Sequence, residues 1–184
     1  MAGIAVVGHR AETQTHGNLT TTSVAVPDGG YVVLPPGDDS PAKLGPQLSR
    51  LAETLAGTNA EIYIENGGAF RNSPEIWRLL EAAHHPRVKV ALDLDRAQAD
   101  GSVPSRVIPT LNLRIGLVRV RSPLENLADY ARRLAGIGFG GYVVLDPPAG
   151  DDRVAQAAAL AAVFRGIFPA KPVKKAVPAK AAGA

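Results

Sequence analysis

The sequence predicts one α/β domain built on a parallel sheet, and three observations carry that prediction. From Tyr31 onward, short β-branched runs alternate with amphipathic helical segments. The runs are continuously apolar, the pattern of parallel strands covered on both faces. At 184 residues and 46% apolar content, the chain is large enough for one good core and too short for two full domains.

Before Tyr31, IAVVG (4–8) and TTSVAV (21–26) have strand character, but the link between them is polar and lacks a helical period. YVVLPPG (31–37) is the first clear strand. A helix over 43–56 follows, with Leu44, Leu48, Leu51 and Leu55 at helical spacing. EIYIEN (61–66) is the second strand, and the start signal Asn72-Ser73-Pro74-Glu75 introduces a helix over 74–84. VKVALDLD (88–95) and IGLVRVRS (115–122) flank a segment, 104–113, too short for a full helix. A helix over 124–134, the strand YVVLDPP (142–148) and a helix over 153–168 complete the domain, which spans 1–168. The remainder, PAKPVKKAVPAKAAGA (169–184), is a Pro/Ala/Lys tail with the composition of a disordered segment.

Strands that alternate with helices in this way predict a (β/α) barrel of the TIM type. A regular eightfold barrel takes about 250 residues, with about 200 as a floor. The chain is therefore expected to be a barrel shortened or incomplete at its N-terminus, or a homo-oligomer in which short chains pair to close the sheet.

Composition excludes several chemistries. Without cysteine there is no disulfide framework, thiolate metal site, iron–sulfur cluster or cysteine nucleophile. The start MAGIAVVGHR lacks the basic and long apolar regions of a secretory signal, and no stretch approaches the roughly 18 to 20 apolar residues of a membrane span, so a cytoplasmic location is expected. The pI of 9.4 comes from the tail. Without Lys171, Lys174, Lys175 and Lys180, 16 basic residues face 17 acidic ones. The domain thus makes no case for nucleic acid, and the tail offers only a weak, salt-sensitive contact.

Three strands end in a carboxylate: Glu65, Asp93 and Asp146. In a parallel barrel these ends converge on one mouth, where they would form a cation site or an acid/base group; acidic residues are also common in strand-ending turns. Other motifs carry less. The glycine-rich run 136–141 precedes a strand, whereas a dinucleotide fingerprint follows one, so it predicts a helix cap and turn and no nucleotide cofactor. Gly67-Gly68 is either a ligand approach or a loop into the Asn72/Ser73 cap. His84-His85 suits a helix C-terminus, His9 has no spaced partner, and Asn18-Leu19-Thr20 is a glycosylation sequon by spelling alone.

The ordered series VVLPPG, IYIEN, LDLDRA, RIGLVRVRS and GFGGYVVLD, across 31–148, resembles the xylose isomerase-like barrels, a family of sugar isomerases and epimerases. That resemblance implies a divalent metal held by Glu, Asp, His and Glu at the mouth, polarising a sugar's oxygens while a proton or hydride shifts. Matched by position, Glu65 and Asp93 are the first two ligands, Arg119 stands at the ligand His and Asp146 at the last Glu. Arg96 stands at the His of Asp-x-x-His, Ser122 at a second Asp, and Pro35 at the His of His-Pro-Gly. Arg offers no lone pair and stays protonated, so Arg119 is no metal ligand.

Two expectations follow. In the first, Glu65, Asp93 and Asp146 hold Mn²⁺, Mg²⁺ or Zn²⁺, and Glu65 and Asp146 are the catalytic pair acting on a small sugar or sugar phosphate bound by Asn66, Arg96 and Arg119. In the second, the protein is a catalytically inactive relative, a binding or scaffold module whose pocket Arg96 and Arg119 neutralise. A phosphodiester-cleaving relative would need histidine-rich metal positions, which the sequence lacks.

Overall fold

Each apolar run forms a strand shorter than the run itself, because the acidic, Pro and Gly residues at its end leave the ladder. The computed structural model describes residues 30–35 and 37–168. Its strands are β1 (Tyr31–Leu34), β2 (Glu61–Glu65), β3 (Val88–Asp93), β4 (Ile115–Val120) and β5 (Tyr142–Leu145). They form one parallel sheet in sequence order. The segments 4–8 and 21–26, His9, the sequon at 18–20 and the tail 169–184 lie outside the described residues.

The connections are helices: α1 (Pro41–Thr54), α2 (Ser73–Ala83), α3 (Leu94–Ala99), α4 (Pro104–Leu111), α5 (Leu127–Gly136) and α6 (Arg153–Ile167). The segment after β3 thus holds two short helices. Asn72 caps α2 through a capping box with Glu75, as the start signal predicts. At the other end of α2, His84 takes the left-handed conformation that closes the helix. The glycine-rich run after α5 is a cap: Phe139 N–H reaches Leu134 O and Gly138 N–H reaches Ala135 O, with Gly138 at φ +71°. This Schellman geometry favours glycine at that position.

The sheet has two different faces. Toward the helices, Val32, Ile62, Ile64, Val88, Val90 and Leu92 join the main core. On the other face a separate small cluster of Tyr63, Ala91 and Leu117 is flanked by Tyr31, Val33, Tyr142 and Val144. Tyr31 and Tyr142 belong to the two edge strands, yet their ring centroids lie 5.0 Å apart, and Tyr31 stacks on Tyr63 at 5.1 Å. A flat five-stranded sheet would hold its edges about 19 Å apart. The five strands therefore curl into a half-barrel, its concave face plugged at mid-height by tyrosines. Among the described residues, no helix is long and apolar enough to cross a membrane.

Candidate functional site

The carboxyl ends of the strands collect charge because alternation along each strand sends every second side chain to the concave face. Glu65 ends β2 four residues after Glu61, Asp93 ends β3 two after Ala91, and Arg119 follows Leu117 by two on β4. The β3–β4 register sets Asp93 opposite Arg119. Arg121, two further on, continues the series just beyond the strand.

Glu65 is buried and ion-paired on both oxygens. Arg119 Nη1 donates to Oε1, and Arg96 Nη1 donates to Oε2 at 3.2 Å. Arg96 Nη1 also lies 3.2 Å from Asn66 O. Asp93, with 1% of its side chain exposed, is the last residue of β3 and the N-cap of α3. Its Oδ1 accepts the Arg96 backbone N–H at 3.1 Å. Its Oδ2 faces Arg121 Nη2 at 2.9 Å and Arg96 Nε at 3.8 Å, in charge contact but outside hydrogen-bonding geometry. From α3, Asp95 accepts the Arg121 backbone N–H at 2.8 Å and the Ser122 hydroxyl. Three guanidinium groups thus face two buried carboxylates, Glu65 and Asp93, and the Nε groups of Arg119 and Arg121 are buried without a hydrogen-bond partner.

The other expected site residues make the following contacts. Asn66 is wholly buried; its Oδ1 accepts the Asp93 N–H at 2.6 Å and its Nδ2 donates to Asp93 O at 3.1 Å. It ties the end of β2 to the end of β3. Asp146 extends the β5 ladder through its backbone N–H to Val120 O at 2.9 Å, but its half-exposed carboxylate pairs with Arg153 Nη2 at 3.1 Å. Gly68, at φ +53°, lies under the loop after β1: a Cβ there would meet Gly37 O at 2.7 Å, so this glycine serves chain packing.

The metal reading does not fit these residues. Among the described residues, no three of His, Cys, Asp and Glu gather as a cation would require. Both oxygens of Glu65 hold guanidinium groups, Asp146 is turned to Arg153, and Arg119 fills the expected histidine position with a cation. The nearest route to a metal site would require breaking several charge-assisted pairs.

Arg121, Asp95 and Arg153 carry pairing that the motif comparison missed. The signal for Arg121 was the alternation Arg119-Val120-Arg121, which sets two cations on one side of β4.

No protein-family model matches the chain, and no curated protein matches it in sequence. Solved structures do match it. The chain superposes on the 3-keto-D-glucoside 4-epimerase YcjR of E. coli with a TM-score of 0.60 and 16% identity, covering 72% of this chain and 62% of that one. A D-allulose 3-epimerase from Methylomonas sp., solved with D-allulose, gives 0.65 and 13%, covering 76% and 63%. The IolI protein with a bound zinc atom gives 0.64 and 15%, covering 77% and 65%. The fold is that of the xylose isomerase-like TIM barrels in shortened form, and the chain spans less than two thirds of these neighbours' length.

Proposed function

We propose that the protein is an epimerase-like binding module that holds a small sugar or sugar phosphate at the carboxyl ends of its strands, with arginines where the resemblance places metal chemistry. The observation that carries this reading is Glu65, whose two oxygens are each taken by a different guanidinium group. Arg96 and Arg121 keep more than a third of their side chains open to solvent, so both can donate to a ligand. Within the cluster, guanidinium groups outnumber the carboxylates they pair with, three to two, which supports an anionic or oxygen-rich ligand. An oxygen-rich ligand is the chemical match, and a phosphate suits guanidinium forks best.

The second reading, a metal-assisted epimerase, keeps Glu65 and Asp146 as the proton-moving pair and adds Asp93 as a ligand. Its support is the placement of all three at carboxyl strand ends in a fold shared with epimerases. It requires Arg96 and Arg119 to leave Glu65.

Titration calorimetry with D-fructose 6-phosphate and with D-fructose tests the binding module. The expected result is saturable heat with the phosphate, weakened about tenfold in Arg121→Gln by loss of one guanidinium contact. No heat with either compound would remove the proposal.

A further inference from the structure

The opposite end of the half-barrel holds a cavity of about 620 Å³. It opens where β2, β4 and β5 begin, at Glu61, Ile115 and Tyr142, and is separated from the arginine cluster by the tyrosine plug. In barrels of this kind the amino-terminal face serves stability and not the reaction, so the cavity is not part of the site described above.

Its lining mixes polar and apolar side chains. Lys89 Nζ pairs with Glu61, and Tyr63 donates its hydroxyl to Glu61 Oε2 at 2.5 Å. Glu61 and Lys89 each keep about a quarter of the side chain exposed (29% and 26%) and line the cavity, with lone pairs and N–H bonds beyond those used in the pair. The lining also includes Phe139, Tyr142 and Leu113, the last 68% exposed. Gly116 makes room for the Tyr63 ring, since a Cβ there would meet its Cε1 at 2.3 Å. Gly140 lines the cavity with open space where a side chain would project.

We propose that this amino-terminal mouth is a second ligand site, for an uncharged aromatic alcohol. One acid balances one base, so a charged ligand would leave a charge uncompensated in a partly desolvated place. A zwitterion would have to separate the existing pair, whereas a hydroxyl adds one donor and one acceptor without breaking it. The ring of the ligand lies against Phe139, Tyr142 and Leu113, the arrangement aromatic groups favour. The volume is within the range of small-molecule sites, about 300–1,000 Å³.

The test is titration of the full chain with 2-naphthol, followed by amide NMR shifts and set against xylitol and phenylalanine. The wild type is expected to bind 2-naphthol saturably in the range of about 0.1–1 mM, with shifts at Lys89, Leu113 and Gly140. Gly140→Leu fills the open space and abolishes saturation. Leu113→Ser, at an exposed position that leaves folding untouched, weakens binding about fivefold. Absence of saturable binding, wild-type affinity in both variants, or tighter binding of xylitol or phenylalanine than of 2-naphthol would each overturn the site.

Discussion

The two ends of the concave face both carry charge, but they assemble it differently. At the amino-terminal end a single pair, Glu61 and Lys89, meets across two adjoining strands and is completed by Tyr63 two residues from Glu61. At the carboxyl end, Glu65 draws on Arg96 and Arg119, 31 and 54 positions away, while Asp93 serves a helix cap, shares Arg96 and faces Arg121. The first arrangement joins two neighbouring strands. The second gathers groups from four elements, β2, β3, α3 and β4, and leaves the Nε groups of Arg119 and Arg121 buried without a hydrogen-bond partner. A parallel sheet produces such gatherings at its carboxyl edge because successive strands all end there. The difference separates a local pair from a cluster that depends on the whole carboxyl edge of the sheet.

Breaking the carboxyl end should cost more. Asp93→Ala removes the α3 cap and leaves Arg96 and Arg121 without their buried counter-charge. The expected loss is about 2–3 kcal/mol, at or below the low end for an opened buried pair because both arginines reach solvent. Urea denaturation measures it. A loss near zero would mean that the cluster contributes no order to the strand ends.

At the amino-terminal end the corresponding change is milder. Tyr63→Phe deletes one hydroxyl bond to Glu61 and should cost about 1 kcal/mol at neutral pH. The wild type carries a pH signature here. Burial first, then the bond to Glu61, raises the Tyr63 hydroxyl well above its ordinary value near 10, and burial raises Tyr31 as well. A raised folded value means stability that is complete below about pH 10 and falls as pH climbs toward that value, since the unfolded chain loses its protons first. Thermal unfolding across pH 8–11 should show this decline, and Tyr63→Phe should make it shallower. An identical decline in both proteins would place its origin elsewhere.

Most of the scaffold was legible in the sequence because parallel strands buried on both faces read as unbroken apolar runs, and five such runs became five strands in order. The α2 start was equally plain, since Asn72 and Glu75 have a local, reciprocal bonding pattern. Of the site, the sequence singles out Glu65 and Asp93 and, as the cations that would neutralise them, Arg96 and Arg119. Spacing does not add Arg121, which reaches Asp93 from beyond the end of β4. Asp146 shows the limit: β5 stops at Leu145, and an arginine seven residues onward turns the carboxylate aside. Asn66 shows another, because spacing does not reveal that its amide bonds the backbone of the neighbouring strand on both sides. The curl that brings Tyr31 to Tyr142 depends on twist accumulated over five strands, and no local pattern encodes it.

The central claim is that guanidinium groups occupy Glu65 where a metal would otherwise be held. Calorimetric titration of the wild type and Glu65→Gln with Mn²⁺, Mg²⁺ and Zn²⁺ tests it most directly. The account predicts no saturable heat of binding in either protein. Saturable heat in the wild type that disappears in Glu65→Gln would contradict it, placing a metal on that carboxylate and restoring the epimerase reading.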